Sequence, residues 1–565
     1  MKLTPVIECV PNFSEGRRPE IIEAIATSIR QVEGVKLLDV DPGKATNRTV
    51  MTMAGPPDQV IEAAYQAIRT AASLIDMKSH HGEHPRMGAT DVCPLIPISG
   101  ITMEETAAFA HKLARRVGKE LNIPVYMYEA AATKPERQNL ATIRAGEYEG
   151  FATKMSDPYW KPDYGPETFN TEAGATVIGA RDFLIAYNVN LNTRAERNAN
   201  AVAFDIRELG RIKRIGDPTT GEIVRDGNGK PVREEGLLKG VKAIGWYIAE
   251  YGIAQVSMNI TNVNLTTLHQ AFDACVKSAT ERGLRVTGSE LVGLVPLQVM
   301  LDAGRHYLAL QGLSYAAPDH ELIHIAVKSM GLDELALFDP KKKIIEYLLE
   351  DQNSSPLVNM TLTGFSEELA SDSPAPGGGS AAAYAGALAA SLGAMVANLS
   401  AHKRGWEDRH NYFVDWAAKG QTGRSHLLKL VDEDTHAFNS IMAAFRLPKE
   451  TDVEKKVRTT SIQKATRRAI ESPLNIMQMS FAQFELLESM TNEGNPNSVS
   501  DAGVGAACAL AAVEGGYLNV MINLGGLKKK EVADAYRLEA EELLVKAREK
   551  KEFILNAVIA KIQSA

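Results

Sequence analysis

Cysteine is scarce. Cys9, Cys93, Cys275 and Cys508 are the four in 565 residues, and no two form a C-x-x-C pair. That spacing excludes a disulfide framework and a thiolate zinc site, and reads as reduced, mostly buried thiols. Basic charge is short as well: 62 Lys and Arg stand against 70 Asp and Glu, a net of −8. A nucleic-acid binder needs a basic face for phosphate, so that class is set aside. The opening MKLTPVIECVPNF has no long apolar stretch after a basic start, so no secretory signal is expected and the chain is read as cytoplasmic. Residues 373–401 carry no charge, yet they are built from Ala, Gly and Ser with few large apolar residues. A buried bundle helix is expected there rather than a membrane span.

What is present is an ordinary globular composition, 45% hydrophobic and 23% charged. At roughly 100–200 residues per domain, the length predicts about three or four units. The pattern over the first 340 residues alternates strands and helices twice. Strands are expected near 4–10, 36–40, 48–54, 92–98 and 124–128, with helices at 18–32, 57–74 and 102–119. The second pass places strands at 183–190, 241–248, 253–260 and 284–288 and helices at 194–209 and 266–282. Both passes read as ferredoxin-like βαββαβ units, with extra pieces in the first. Residues 213–240 look like an exposed insertion with a hairpin around Gly227–Gly229. The stretch 164–181 reads as a long irregular loop of the kind that carries function. After the linker EDQNSSP only helical runs follow. The expected fold is therefore multidomain: two α/β ferredoxin-like subdomains, 1–182 and 183–347, a linker at 348–358, and an all-α helical bundle at 359–565. Its small-residue stripes point to helices packed closely, and to a homo-oligomer formed through them.

The densest polar stretch is SHHGEHPRMG, residues 79–88, which holds three of the 12 histidines. Gly82 and Pro85 break any helix, so an H-E-x-x-H style metal face is absent. Three readings remain open: a metal site on His80, His81 and His84, a polar surface loop, and proton transfer by a histidine that titrates near neutrality. Arg86 has the planar fork that holds a carboxylate. Asn12, Asp41 and Asn47 sit where loops leave strands, a position that turn chemistry alone also favours. In the helical part, Gly377-Gly378-Gly379 precede a helix, which suits an anion or simply tight packing. Asp432 and Asp434 are two residues apart, so about 200° separates them around a helix. One is expected to point inward as a buried acid and the other outward.

The phrases IECVPNFSEGRRPEII, LLDVDPGKATNRTV and DMKSHHGEHPRMGATDVCPLIPI resemble glutamate formimidoyltransferase. ASDSPAPGGGSAAAYAGALAASLGAMVANLS and LVDEDTHAFNSIMAAFRLPK resemble formimidoyltetrahydrofolate cyclodeaminase, and the order resembles the bifunctional family that joins the two. The resemblance implies two steps of histidine degradation: transfer of the formimino group from N-formimino-L-glutamate to tetrahydrofolate, then closure to 5,10-methenyltetrahydrofolate with loss of ammonia. It implies His84 as the catalytic histidine. The chemistry then suits Asp41 as orienter of His84 or of the folate nitrogen, Arg86 or a neighbour as holder of the glutamate carboxylate, and Asn12 and Asn47 about the substrates. The folate-contacting segment falls on Gly165–Gly174, including Pro166 and Phe169. The cyclodeaminase acid falls on Asp434, with Asp432 the other candidate and Gly377, Gly378 and Gly379 beside it. Tetrahydrofolate enters as a polyglutamylated co-substrate, no metal is required, no nucleic acid or membrane partner is implied, and the family assembles as an octamer. The rivals are a metal-dependent hydrolase and a folate-binding assembly without catalysis.

Overall fold

A computed structural model describes residues 5–44, 46–82, 85–216, 220–349 and 356–564. The chain divides into two compact units, Met1–Met300 with Val327–Leu349, and Leu301–Ala326 with Glu350–Ala565.

The first unit opens with β1 (Val6–Cys9), β2 (Asn12–Phe13), α1 (Pro19–Arg30), β3 (Lys36–Gly43), β4 (Arg48–Gly55) and α2 (Pro57–Leu74). Then come β5 (Thr90–Ser99), α3 (Met103–Glu120), β6 (Val125–Glu129), α4 (Leu140–Arg144), α5 (Glu147–Met155) and β7 (Thr176–Ala180). Local chemistry sets the boundaries. Pro56 and Pro57 open α2, and Thr102 with Glu105 closes a reciprocal capping box on α3. In the seven-stranded sheet, β3 pairs β4, β4 pairs both β1 and β2, and these pair β5, followed by β7 and β6 in parallel. Taking β1 and β2 as one interrupted strand, the first four positions have the order 2-3-1-4 of the split βαβ motif. Helices α1 to α3 cover one face, where Ile7, Cys9, Met51 and Met53 meet Ile25, Val60 and Leu113. The short α4 and α5 cover part of the other face, burying Val92, Tyr126 and Val177 against Ile143 and Phe151.

The stretch 164–181 is not wholly irregular: it contains β7. TVIGA is buried at all five positions, so it lacks the in-out alternation that marks a half-exposed strand.

The same unit continues with β8 (Ile185–Leu191), α6 (Glu196–Ile206), β9 (Arg211–Ile212), β10 (Arg214–Ile215), β11 (Glu222–Ile223), β12 (Arg233–Glu234), β13 (Val241–Ile248), β14 (Ile253–Ile260), α7 (Leu268–Glu281) and β15 (Val286–Val292). The order β13-β14-β8-β15 is antiparallel throughout and repeats the 2-3-1-4 arrangement. The insertion forms two small ladders, β9 with β12 and β10 with β11, outside that sheet. Helices α8 (Leu297–Leu310) and α9 (Asp319–Met330) fall mostly in the second unit, through Leu301–Ala326, and α10 (Pro340–Lys343) and α11 (Ile345–Leu349) return to the first.

The second unit is helical: α12 (Leu362–Leu369), α13 (Gly378–Ala401), α14 (His410–Arg446), α15 (Asp452–Glu493), α16 (Val499–Leu524) and α17 (Lys530–Ser564). Small residues let these helices approach. A Cβ on Gly420 would press on Ala394 and Leu486, and one on Gly393 would meet Leu486 and Leu487. Larger residues there would force apart a core that has the density of an organic crystal.

Candidate functional sites

The loop 79–88 is held by segments from three other parts of the sheet unit. Asn47 has a left-handed φ of 47°, a conformation Asn tolerates because its short amide bonds locally. Its Oδ1 accepts from Gly16 N–H at 3.0 Å and its Nδ2 donates to the His81 carbonyl at 2.9 Å. Its own carbonyl lies 3.0 Å from His80 Nε2. Gly82 fits against the Thr46 carbonyl only because it lacks a Cβ. On the far side, Ser14 Oγ donates to the Gly88 carbonyl at 2.7 Å, and Gly88 bridges Gly174.

Arg86 lies inside this loop with its guanidinium committed on every edge. Nε donates to His80 Nδ1 at 3.3 Å, and Nη2 donates to the His80 carbonyl at 3.0 Å. Nη1 reaches Glu147 at 3.2 Å and Glu149 at 2.8 Å, and Nη2 reaches Glu149 at 2.6 Å. A guanidinium has only donors, so His80 Nδ1 accepts and its Nε2–H must donate to Asn47. His80 is therefore a neutral imidazole with both nitrogens engaged. Burial, joined by the Arg86 charge, holds its pKa below the usual histidine value against the pull of the Asn47 carbonyl. His80 has no nitrogen left for a metal. A cavity of about 430 Å³ opens beside His81, Gly82, Arg86, Gly146, Glu147 and Glu149.

Next to the loop is a second charged cluster. Asn12 Oδ1 accepts from Arg48 Nε at 3.0 Å and from Nη2 at 2.6 Å. The buried Asp91 takes Arg48 Nη1 at 2.8 Å and Arg144 Nη2 at 2.7 Å on one oxygen, and Met87 N–H at 3.1 Å on the other. Burial foremost, and the Arg144 charge after it, pull the Arg48 pKa down against the attraction of Asp91.

The sequence-derived residues distribute unevenly over this geometry. Asn12, Asn47, Arg86 and Gly174 come together around the loop. Phe169 packs on Tyr148, ring centroids 5.3 Å apart, and Tyr148 N–H donates to the Arg86 carbonyl. Gly165 has a φ of +85° and packs against Gly118 at the end of α3, with Pro166 half-buried after it. Asp41 is exposed on β3 and makes no side-chain hydrogen bond or ion pair among the described residues. His84 lies outside the described residues. Arg48, Asp91, Arg144 and Glu149 were not singled out from sequence; the charge of Arg48 within a strand that is otherwise uncharged, RTVMTMAG, was the available signal.

The helical unit holds the second site. Asp434 on α14 reaches the N-terminus of α13, where it accepts from Ser380 N–H. A Cβ on Gly379 would overlap the Asp434 carboxylate, so only glycine admits it. Burial raises the Asp434 pKa to about 6, against the lowering effect of the Ser380 N–H. Ser380 Oγ donates to the Val431 carbonyl at 2.7 Å and lies 3.2 Å from Thr435 Oγ1, tying α13 to α14. Gly377 caps α13 and Gly378 lies beside Asn519 of α16. Asp432 does something else. Its side of the helix faces the start of the unit, where the Leu357 N–H (2.9 Å) and the Val358 N–H (3.3 Å) donate to its two oxygens. Both acids are thus drawn inward, in different directions, and the outward role expected for one of them is not seen.

Comparison with known proteins matches three family models in chain order. Residues 6–181 match the model of the formiminotransferase domain, N-terminal subdomain, and 186–350 that of the formiminotransferase domain. Residues 361–542 match the formiminotransferase-cyclodeaminase model. The formimidoyltransferase-cyclodeaminase of Dictyostelium discoideum is 41% identical over 555 residues, 98% of each chain. That of Rattus norvegicus is 40% identical over 560 residues, 99% of this chain and 100% of the relative. The glutamate formimidoyltransferase of Streptococcus pyogenes is 39% identical over 313 residues, 55% of this chain and 96% of its own length. With both parts matched in one order over nearly its whole length, the chain belongs to the formimidoyltransferase-cyclodeaminase family.

Proposed function

We propose that the chain carries out two successive folate reactions. In the first, N5 of tetrahydrofolate attacks the formimino carbon of N-formimino-L-glutamate. A tetrahedral intermediate forms, its bond to the glutamate nitrogen breaks, and glutamate leaves as 5-formiminotetrahydrofolate is released. A proton must pass from the entering to the departing nitrogen. A histidine titrating near 6.5 suits that transfer, and His84 is the residue we assign to it. The neighbouring His80 does not suit it, because both its nitrogens are engaged.

In the second reaction N10 attacks the formimino carbon and ammonia departs, leaving the methenyl bridge. The observation that carries this assignment is the Asp434 carboxyl over the Gly379–Ser380 turn, with a pKa raised to about 6. An acid of that strength is partly protonated near neutrality and delivers a proton to the leaving nitrogen. Neither step requires redox chemistry or a Lewis acid. Tetrahydrofolate is consumed as a co-substrate, and we read its natural form as polyglutamylated.

We also read the protein as a cytoplasmic homo-oligomer, octameric by its resemblance to the family. Helices Gly378–Ala401 and Pro496–Leu524 are long and apolar enough to cross a membrane. Burial in the bundle and contact with other subunits account for them better. Val504, Leu518 and Ile522 form an exposed apolar stripe on α16 that a subunit contact would cover. Sedimentation of the intact chain and of the chain cut in the linker tests this: a shared oligomeric state for both would remove the helical unit from the contact.

The decisive assay mixes N-formimino-L-glutamate with tetrahydrofolate and follows ammonia and methenyl absorbance together. Stoichiometric appearance of both is expected. Folate binding without ammonia release would leave only a binding protein.

A further inference from the structure

Arg86 has the residue type expected to hold the donor's carboxylate, yet its five N–H groups all have partners inside the protein. A substrate carboxylate would have to displace the two-pronged contact of Glu149. Arg144 is the opposite case. Its Nη2 donates to Asp91 Oδ2, an oxygen it shares with Arg48. Its Nε is buried without an acceptor among the described residues, and its side chain is 14% exposed. Of its five N–H groups, that single contact to Asp91 is the one made among the described residues.

The backbone beneath Arg144 is fixed. Lys154 Nζ donates to the carbonyls of Thr142, Ile143 and Ala145 at 2.9, 2.7 and 3.0 Å, which clamps the end of α4 from both sides of the arginine. The other Asp91 oxygen holds Met87 N–H, so the same carboxylate ties Arg144 to the end of the histidine loop. A guanidinium pre-positioned beside that loop, sharing one anion with a second guanidinium, presents uncompensated donors to an anionic ligand.

We propose that Arg144 binds a carboxylate of the formimino donor, and that Arg86 is a positioning residue which holds His80 and the loop in place. The assignment rests on the transferase reading above. Donor carboxylate oxygens accept from the Arg144 N–H groups, while Glu149 stays on Arg86 throughout the cycle.

Steady-state transfer by the full-length enzyme tests it. Arg144→Gln is expected to raise KM for N-formimino-L-glutamate by about 30-fold, the scale of a lost charge-assisted contact. Its kcat, its KM for tetrahydrofolate and its cyclodeamination of supplied 5-formiminotetrahydrofolate stay close to wild type. Arg86→Lys is expected to lower kcat and to leave KM for the donor unchanged. If Arg144→Gln does not fold, Arg144→Lys carries the test with a smaller rise in the same KM. A donor KM unaltered in the folded Arg144 variant, or a rise that follows Arg86 instead, overturns the proposal. Absence of transfer in the wild-type enzyme would refute the transferase reading itself, so the two failures are separable.

Discussion

The two candidate sites are built in contrasting ways. The one in the sheet unit is assembled from loops far apart in sequence and is crowded with charge: Arg48, Arg86 and Arg144 against Asp91, Glu147 and Glu149. The one in the helical unit has a single carboxyl, two adjacent helices and a run of glycines. In the first, ion pairs lock geometry and leave an imidazole neutral. In the second, removal of water tunes the acid, and the small residues supply the room. A site built from ion pairs should lose substrate binding or turnover when a partner is lost, whereas a site built from burial should fail when space is lost.

The largest effect that would sharpen this contrast is on transfer. His84→Ala should abolish formimino transfer and leave closure of supplied 5-formiminotetrahydrofolate intact; wild-type-like transfer would remove His84 from the mechanism. Next comes Gly379→Ala. The added methyl group would displace the Asp434 carboxylate, so cyclodeamination should fall by about 100-fold, comparable to loss of a general acid. Transfer in the same preparation should be unchanged, and a variant retaining full cyclodeaminase activity would show that the close approach is dispensable.

Smaller is the response to pH. On the proposed assignment closure needs protonated Asp434, whose pKa is raised to about 6. Turnover of supplied 5-formiminotetrahydrofolate should therefore decline as pH rises through about 6, and a profile flat across that range would break the assignment. The sign for stability is the same. A carboxyl that binds its proton more tightly when folded contributes stability at low pH, and this is lost as pH climbs from the ordinary aspartate range through about 6.

The smallest effect is on stability alone. Asp432 is 4% exposed and satisfies two backbone N–H groups. Asp432→Ala should cost about 1–3 kcal/mol by stranding them, read by denaturant unfolding, with kcat for cyclodeamination within a few-fold of wild type.

Punctuation made much of the fold legible. Pro56-Pro57 fixed the start of α2, and the Glu250–Gly252 turn fixed the ends of β13 and β14 to the residue. Strand β7 escaped because every side chain in it is buried. The α4–α5 segment escaped because Gly146 and Glu147, both at positive φ, interrupt its helical pattern. In the site, Asn12 and Asn47 were visible as turn residues at strand ends. The Arg48–Asp91–Arg144 cluster was not, since its members lie 43 and 53 residues apart and only the sheet order brings them together. The direction of each acid on α14 was also beyond the sequence. Two residues of separation set the angle between Asp432 and Asp434, but not which one meets the glycine turn.

That last choice is open to one direct measurement. Asp434→Asn and Asp432→Asn enzymes are each given 5-formiminotetrahydrofolate, and ammonia and methenyl absorbance are followed. The geometry predicts that Asp434→Asn loses cyclodeamination while Asp432→Asn retains it. Loss in the Asp432 variant with activity kept in the Asp434 variant would contradict the account.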